Sequence, residues 1–121
     1  MKMQRLPQEL TVCKVESVAD IDLGADLFFV GKTDAELSLV CETSRVPATT
    51  VAREDGWRGF RIEGTLDFSL IGILSGISGA LAESGIGIFA VSTFDTDYVL
   101  VKAENFERAG RALEAAGYVV E

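Results

Sequence analysis

There is no histidine anywhere in the 121 residues. That excludes Ser-His-Asp and Cys-His activation of a nucleophile and removes the commonest general base near neutral pH. It also leaves the two cysteines, Cys13 and Cys41, without the partners that a structural zinc site needs. They stand far apart, without CxxC spacing. Neither a GxxxxGK[ST] phosphate loop nor a GxGxxG fingerprint is present. Carboxylates are plentiful, but none are paired in a recognisable catalytic pattern. The chain therefore reads as a binding module rather than an enzyme, with no metal and no cofactor. Positive charge is also short: 11 Lys and Arg against 19 Asp and Glu give a net charge of −8 and a pI near 4.5. This balance argues against nucleic acid, whose phosphates want a basic face, and against anionic membrane surfaces. The Met1 end lacks an apolar signal-peptide core, so the expected location is cytoplasmic. In that compartment Cys13 and Cys41, each in a strand-like run, are expected to be buried, reduced thiols.

With 48% hydrophobic residues, the chain can bury a real core, as one body or as two small subdomains sharing a sheet. The stretch 66–102, LDFSLIGILSGISGALAESGIGIFAVSTFDTDYVLVK, organises it. Leu70, Ile73, Leu74, Ile77 and Leu81 recur at helical spacing. Asp67 or Ser69 can cap the start, and Gly85 suits a helix stop. A strand-like run, Ile86 to Ser92, follows. Then come a polar corner, Thr93-Phe94-Asp95-Thr96-Asp97, and a second run, Tyr98 to Val101. Between Leu70 and Val91 the only charge is Glu83, which raises a membrane span with a Gly72-x-x-x-Gly76 face. Gly85, Gly87 and several serines break that reading, and no topogenic flank adjoins it. Gly72, Gly76 and Gly79 read as positions of close helix packing.

Taken in order, residues 1–9 read as a polar lead-in. Strands are expected at Leu10–Val15, Leu27–Val30 and Leu37–Cys41, the last two joined by a turn at 33–36. Residues 16–26 and 42–48 are too short and interrupted for crossover helices. Glu54-Asp55-Gly56 carries a strong turn signal between a β-like run at 49–53 and a strand at 57–63. A second helix is marked by Phe106, Ala109, Leu113 and Ala116, with Glu104–Arg108 and Glu107–Arg111 as i, i+4 pairs on its wet side. Gly117 stops it, and Tyr118 to Val120 form a last strand. The expected fold is α+β: a ferredoxin-like βαββαβ unit over 60–121, preceded over 1–59 by a helix-poor version of the same plan.

The motifs DFSLIGIL and STFDTDYVLV, with their spacing, make residues 57–118 resemble the ACT domain. The pattern is similar to bacterial tandem-ACT proteins, to the arginine-sensing CASTOR proteins and to aspartate kinase regulatory domains. Residues 1–50 match only in strand layout. The resemblance implies tandem ACT domains (a degenerate one over 1–59), no catalysis, and a small ligand, typically an amino acid, at an ACT–ACT interface. It places the ligand loop on Asp67, Ser69, Leu70, Ile71, Gly72, Ile73 and Leu74, and the opposite wall on Ser92, Thr93, Phe94 and Asp97. With one tandem pair in this chain, a complete site implies a second subunit.

The chemistry of those residues suits an amino acid. Helix-start amides suit a carboxylate, and Asp67 can accept from an ammonium. Gly72 removes a side-chain wall. The 93–97 corner offers hydroxyls, an aromatic face and two carboxylates, a set that leans towards arginine or lysine. Plainer readings exist: Asp67 as a cap alone, Thr93, Asp95 and Asp97 as hairpin closers, Phe94 as a core or dimer contact. The alternative function is accordingly a protein-interaction module that keeps the fold without a pocket. A homodimer is expected from the glycine-lined helix face and from sheet edges that need cover.

Overall fold

The computed structural model describes residues 1–64 and 72–121, and these form two compact units. One, called here the helical unit, comprises Met1–Pro7 and Arg58–Glu121; the other, the loop-covered unit, comprises Gln8–Trp57. The long strand β5, Ala52–Ile62, contributes its first half to the loop-covered unit and its second half to the helical unit.

In the helical unit the strands are β1 (Lys2–Arg5), the end of β5, β6 (Phe89–Ser92), β7 (Asp97–Lys102) and β8 (Val119–Val120). Helix α1 spans Ile73–Glu83 and helix α2 spans Phe106–Ala115, the latter entered through a 3₁₀ turn at Ala103–Asn105. From β5 onward this is the expected βαββαβ order. Alternation along β7 puts Val99 and Val101 on the helix side, where both are fully buried. They pack with Met3, Phe60, Ile62, Ile77, Leu81, Phe106, Ala109 and Leu113. Helix α1 carries its apolar stripe at Ile73, Leu74, Ile77 and Leu81, as its spacing predicts. Its last turn is closed by Gly85, which takes φ 72°, and by the Ile86 amide donating to the Leu81 carbonyl at 3.0 Å.

Three sequence expectations change here. Residues 2–5 are not a lead-in: β1 pairs antiparallel with β5, Met3 opposite Ile62, and parallel with β8, Met3 opposite Val120. One apolar residue in KMQR is too little pattern to read, yet Met3 is fully buried. Arg108 does not pair with Glu104 as expected: it donates to the Ser84 carbonyl at the end of α1 and to Asn105 Oδ1. A guanidinium on terminal helix carbonyls is favoured by their partial negative charge. Helix α1 begins at Ile73, later than residue 70, with Gly72 at φ 81° as its N-cap and no side-chain cap bond. Asp67 and Ser69, the expected caps, lie outside the described residues.

The loop-covered unit contains β2 (Leu10–Lys14), β3 (Phe28–Lys32), β4 (Leu37–Glu42) and the start of β5, in the order β3-β4-β2-β5, all antiparallel. Short 3₁₀ turns at Val18–Asp20 and Thr43–Arg45 stand where crossover helices would be. The sequence explains this. ESVADIDLGAD holds three aspartates and a glycine, residue types that favour turns over helix interiors. Asp22 accepts from the Gly24 amide at 3.0 Å and from Arg45 Nη1 at 2.5 Å, tying the first loop to the second turn. Ile21 and Val46 then cover Cys13, Val15, Leu39 and Cys41.

The expected turn at 54–56 is instead a β-bulge. Leu10 faces Trp57 while Val12 faces Glu54, so β5 holds one residue more than β2 over the same interval. Gly56, at φ 84°, supplies the left-handed residue that the bulge needs. Its strand neighbour Asp55 accepts from the buried Thr11 hydroxyl at 2.7 Å and from Arg53 Nε at 2.9 Å. These donors, Arg53 first and Thr11 second, hold the Asp55 carboxyl below its ordinary range.

The polar corner as a candidate functional site

The corner at 93–96 joins β6 to β7 and is closed from within. The Thr93 amide donates to the Thr96 carbonyl at 2.8 Å and the Thr93 hydroxyl to the same oxygen at 3.1 Å. Thr96, 8% exposed, donates its hydroxyl to the Ile62 carbonyl at 2.8 Å and braces the corner on β5. Thr96 gives no signal of its own in the sequence, being one of four polar residues in the corner 93–97. Ser92 and Asp97 face each other across the ladder, and the Ser92 hydroxyl donates to Asp97 Oδ1 at 2.6 Å. A short bond to one oxygen fixes the carboxylate's direction.

The two acids at this corner differ in exposure. Asp95 is exposed and Asp97 half-buried. Phe94 is 80% exposed, so it is no core residue of this unit. Of the loop residues expected opposite, Gly72 is exposed at the start of α1, whereas Ile73 and Leu74 pack against the core of the helical unit. Asp67, Ser69, Leu70 and Ile71 lie outside the described residues. Ser92 and Asp97 are thus joined by a hydrogen bond, Thr93 is bonded to Thr96 in the same hairpin, and Ile73 and Leu74 pack on the core.

The glycines divide. A Cβ on exposed Gly76 would meet only the far end of the Tyr118 side chain, its hydroxyl, at 2.9 Å; one on Gly72 or Gly79 would meet nothing within 4 Å. Cys13 and Cys41 are free and buried, 4% and 3% exposed. Burial, and then the charge of the neighbouring thiol, push Cys41 up to about 11. Among the described residues no group of three or more His, Cys, Asp or Glu side chains is placed to hold a metal, and no helix is long and apolar enough to cross a membrane.

The fold is the α+β, ferredoxin-like architecture of ACT regulatory domains. The chain belongs to the ACT domain family, whose model matches residues 52–115, more than half of its length. Protein Atu0741 from Agobacterium tumefaciens is 32% identical over 99% of this chain and 91% of its own, with a TM-score of 0.88. A Vibrio cholerae protein of unknown function, VC0802, described as a possible transport protein, is 19% identical over 95% of this chain and 88% of its own, at TM-score 0.73. The regulatory subunit of aspartate kinase from Thermus thermophilus, in its ligand-free form, shares the fold at TM-score 0.67, with 13% identity and 97% coverage of both chains. No curated protein matches the chain. Family membership supports a regulatory role based on binding a small molecule.

Proposed function

We propose that the chain is a non-enzymatic, cytoplasmic regulatory module that binds an amino acid, arginine or lysine by preference. The ligand site in this reading lies between residues 67–74 and the 92–97 corner, at an interface between ACT domains. It carries two such domains, a degenerate one over 1–59 and a full one over 60–121. The observation that carries the proposal is Asp97: a half-buried carboxylate, aimed by Ser92, at a corner of an ACT-family unit. A cationic side chain of the ligand is its natural partner. A thermal-shift screen against the proteinogenic amino acids tests this. A ligand at ~100 times its dissociation constant stabilises the native state by about 2.7 kcal/mol. Arginine or lysine is expected to give the largest shift; no shift with any amino acid refutes the proposal.

A homodimer completes this reading. Strand β6 pairs, among the described residues, with β7 alone, and the run Ile86–Ser92 contains no charge and no proline. Sheet edges of that composition invite pairing. The same edge favours the second reading, a protein-interaction module. Light scattering at micromolar concentration is expected to give the dimer mass, and a monomer overturns the dimer assignment.

A further inference from the structure

One pair of metal-ligating side chains lies away from the 92–97 corner: the thiols of Cys13 and Cys41. They come from neighbouring strands, β2 and β4, both within the loop-covered unit. Cys13 stands opposite Leu39 and Cys41 opposite Thr11, so each cysteine is the other's diagonal neighbour on the ladder. Alternation puts both side chains on one face of the sheet. The thiols are hydrogen-bonded to each other, and both are buried.

The register decides what this pair can do. Diagonal neighbours on an antiparallel ladder have Cα atoms about 7–8 Å apart. A disulfide spans no more than about 7 Å unless the backbone moves. An ion between the sulfurs reaches further, through two metal–sulfur bonds of roughly 2.3 Å each. The number of donors then selects the ion. Zinc takes four ligands, and among the described residues no third His, Cys, Asp or Glu joins the pair. Hard cations take oxygen. Two thiolates alone suit a soft monovalent ion, Cu(I).

The surroundings fit the charge of such a complex, which is one negative. Arg53 of β5 stands directly opposite Cys13, on the same face. Burial raises both thiols, and the Arg53 guanidinium opposes that at each, with Asp55 working against it at Cys13. The rest of the shell is apolar: Val15, Ile21, Phe28, Leu39 and Val46 pack in the same cluster. Ile21 belongs to the first loop, which the Asp22–Arg45 ion pair ties down. Local opening of that loop is the way in.

We infer that Cys13 and Cys41 form a two-coordinate site for Cu(I). Both S–H bonds break, two Cu–S bonds form, and two protons pass to water. Copper keeps its oxidation state, and the complex keeps its single negative charge beside Arg53. The site is independent of the 92–97 corner and of any amino acid.

Anaerobic titration of the reduced full chain with Cu(I), in competition with the chelator bicinchoninate, tests the assignment. One Cu(I) per chain is expected to leave the chelator, and copper X-ray absorption to show two sulfur neighbours and no nitrogen or oxygen. Zn(II), given in parallel, is expected to be bound far more weakly. Cys13→Ser and Cys41→Ser, with folding checked by circular dichroism, are each expected to lose the copper. Arg53→Gln, on the exposed start of β5, is expected to keep the stoichiometry and to weaken binding about tenfold. Asp22→Asn is expected to speed uptake at unchanged affinity. No copper taken from the chelator, nitrogen or oxygen neighbours on the copper of wild type, zinc held as tightly as copper, or full binding in either serine variant overturns the inference.

Discussion

The helical unit and the loop-covered unit share a hairpin of the same layout but cover their sheets by different means. Among the described residues, the core that α1 and α2 close has eleven buried members, and the core that the two loops close has five. The loops are held by polar ties, Asp22 to Arg45 across the two loops and Thr11 to Asp55 on the sheet, while the helical unit has ties of its own, Thr96 to the Ile62 carbonyl and Arg108 to the Ser84 carbonyl. A sheet can thus keep its strand order after losing its helices, provided that loops supply a few plugs such as Ile21 and Val46 and are pinned in place.

The largest test of the comparison is core truncation. Leu81→Ala in the helical unit and Leu39→Ala in the loop-covered unit both remove a side chain exposed by no more than 1%. Leucine-to-alanine changes cost about 2–5 kcal/mol according to how far the site can collapse. Leu81, held between α1, α2 and the sheet, is expected near the top of that range, and Leu39, under loops, near the bottom. Urea unfolding of each variant gives the two values; equal costs erase the distinction.

A smaller effect comes from alkaline pH. Cys41 ordinarily titrates near 9 and is raised to about 11 in the folded chain. A raised thiol favours the fold while protonated, so its contribution is complete below pH 9 and is lost as pH rises through 11. Amide exchange is expected to quicken across that window in the loop-covered unit first, and Cys41→Val to reduce the effect, Cys13 being raised by burial as well. At neutral pH neither Cys13 nor Cys41 should label rapidly with a thiol reagent, since burial raises both.

How much of this could be read beforehand depended on local pattern. The α1 stripe, the β6–β7 hairpin and α2 followed from periodicity, and the ESVADIDLGAD loop from its turn-forming residues. Strand β1 did not, because its register is fixed by Ile62 and Val120, remote in sequence. Gly56 gave a turn signal, but a bulge and a turn both use a glycine at positive φ, and only pairing with β2 tells them apart. At the corner, the resemblance offered Ser92, Thr93, Phe94 and Asp97 together, with Asp97 favoured over Asp95 as the ligand's carboxylate. The ladder joins Ser92 to Asp97 and leaves Phe94 exposed, while the bracing by Thr96 is invisible without the fold.

Two glycine substitutions bring out the smallest differences, and they are expected to have opposite signs. Gly56→Ala forces a side chain into φ 84° and should destabilise the loop-covered unit by about 1 kcal/mol or more. Gly79→Ala, in a helix with nothing within 4 Å of the new Cβ, should stabilise α1 by up to about 1 kcal/mol. Thermal denaturation of both variants reads the two signs directly.

Calorimetric titration of wild type, Asp67→Asn and Asp97→Asn with arginine and lysine tests the central proposal most directly. Wild type is expected to bind, and both variants to fold and to lose affinity, Asp97→Asn most, by on the order of 2–5 kcal/mol for a cationic ligand left unpaired. A wild type that binds neither amino acid at millimolar concentration, or an Asp97→Asn variant that binds as tightly as wild type, contradicts the account.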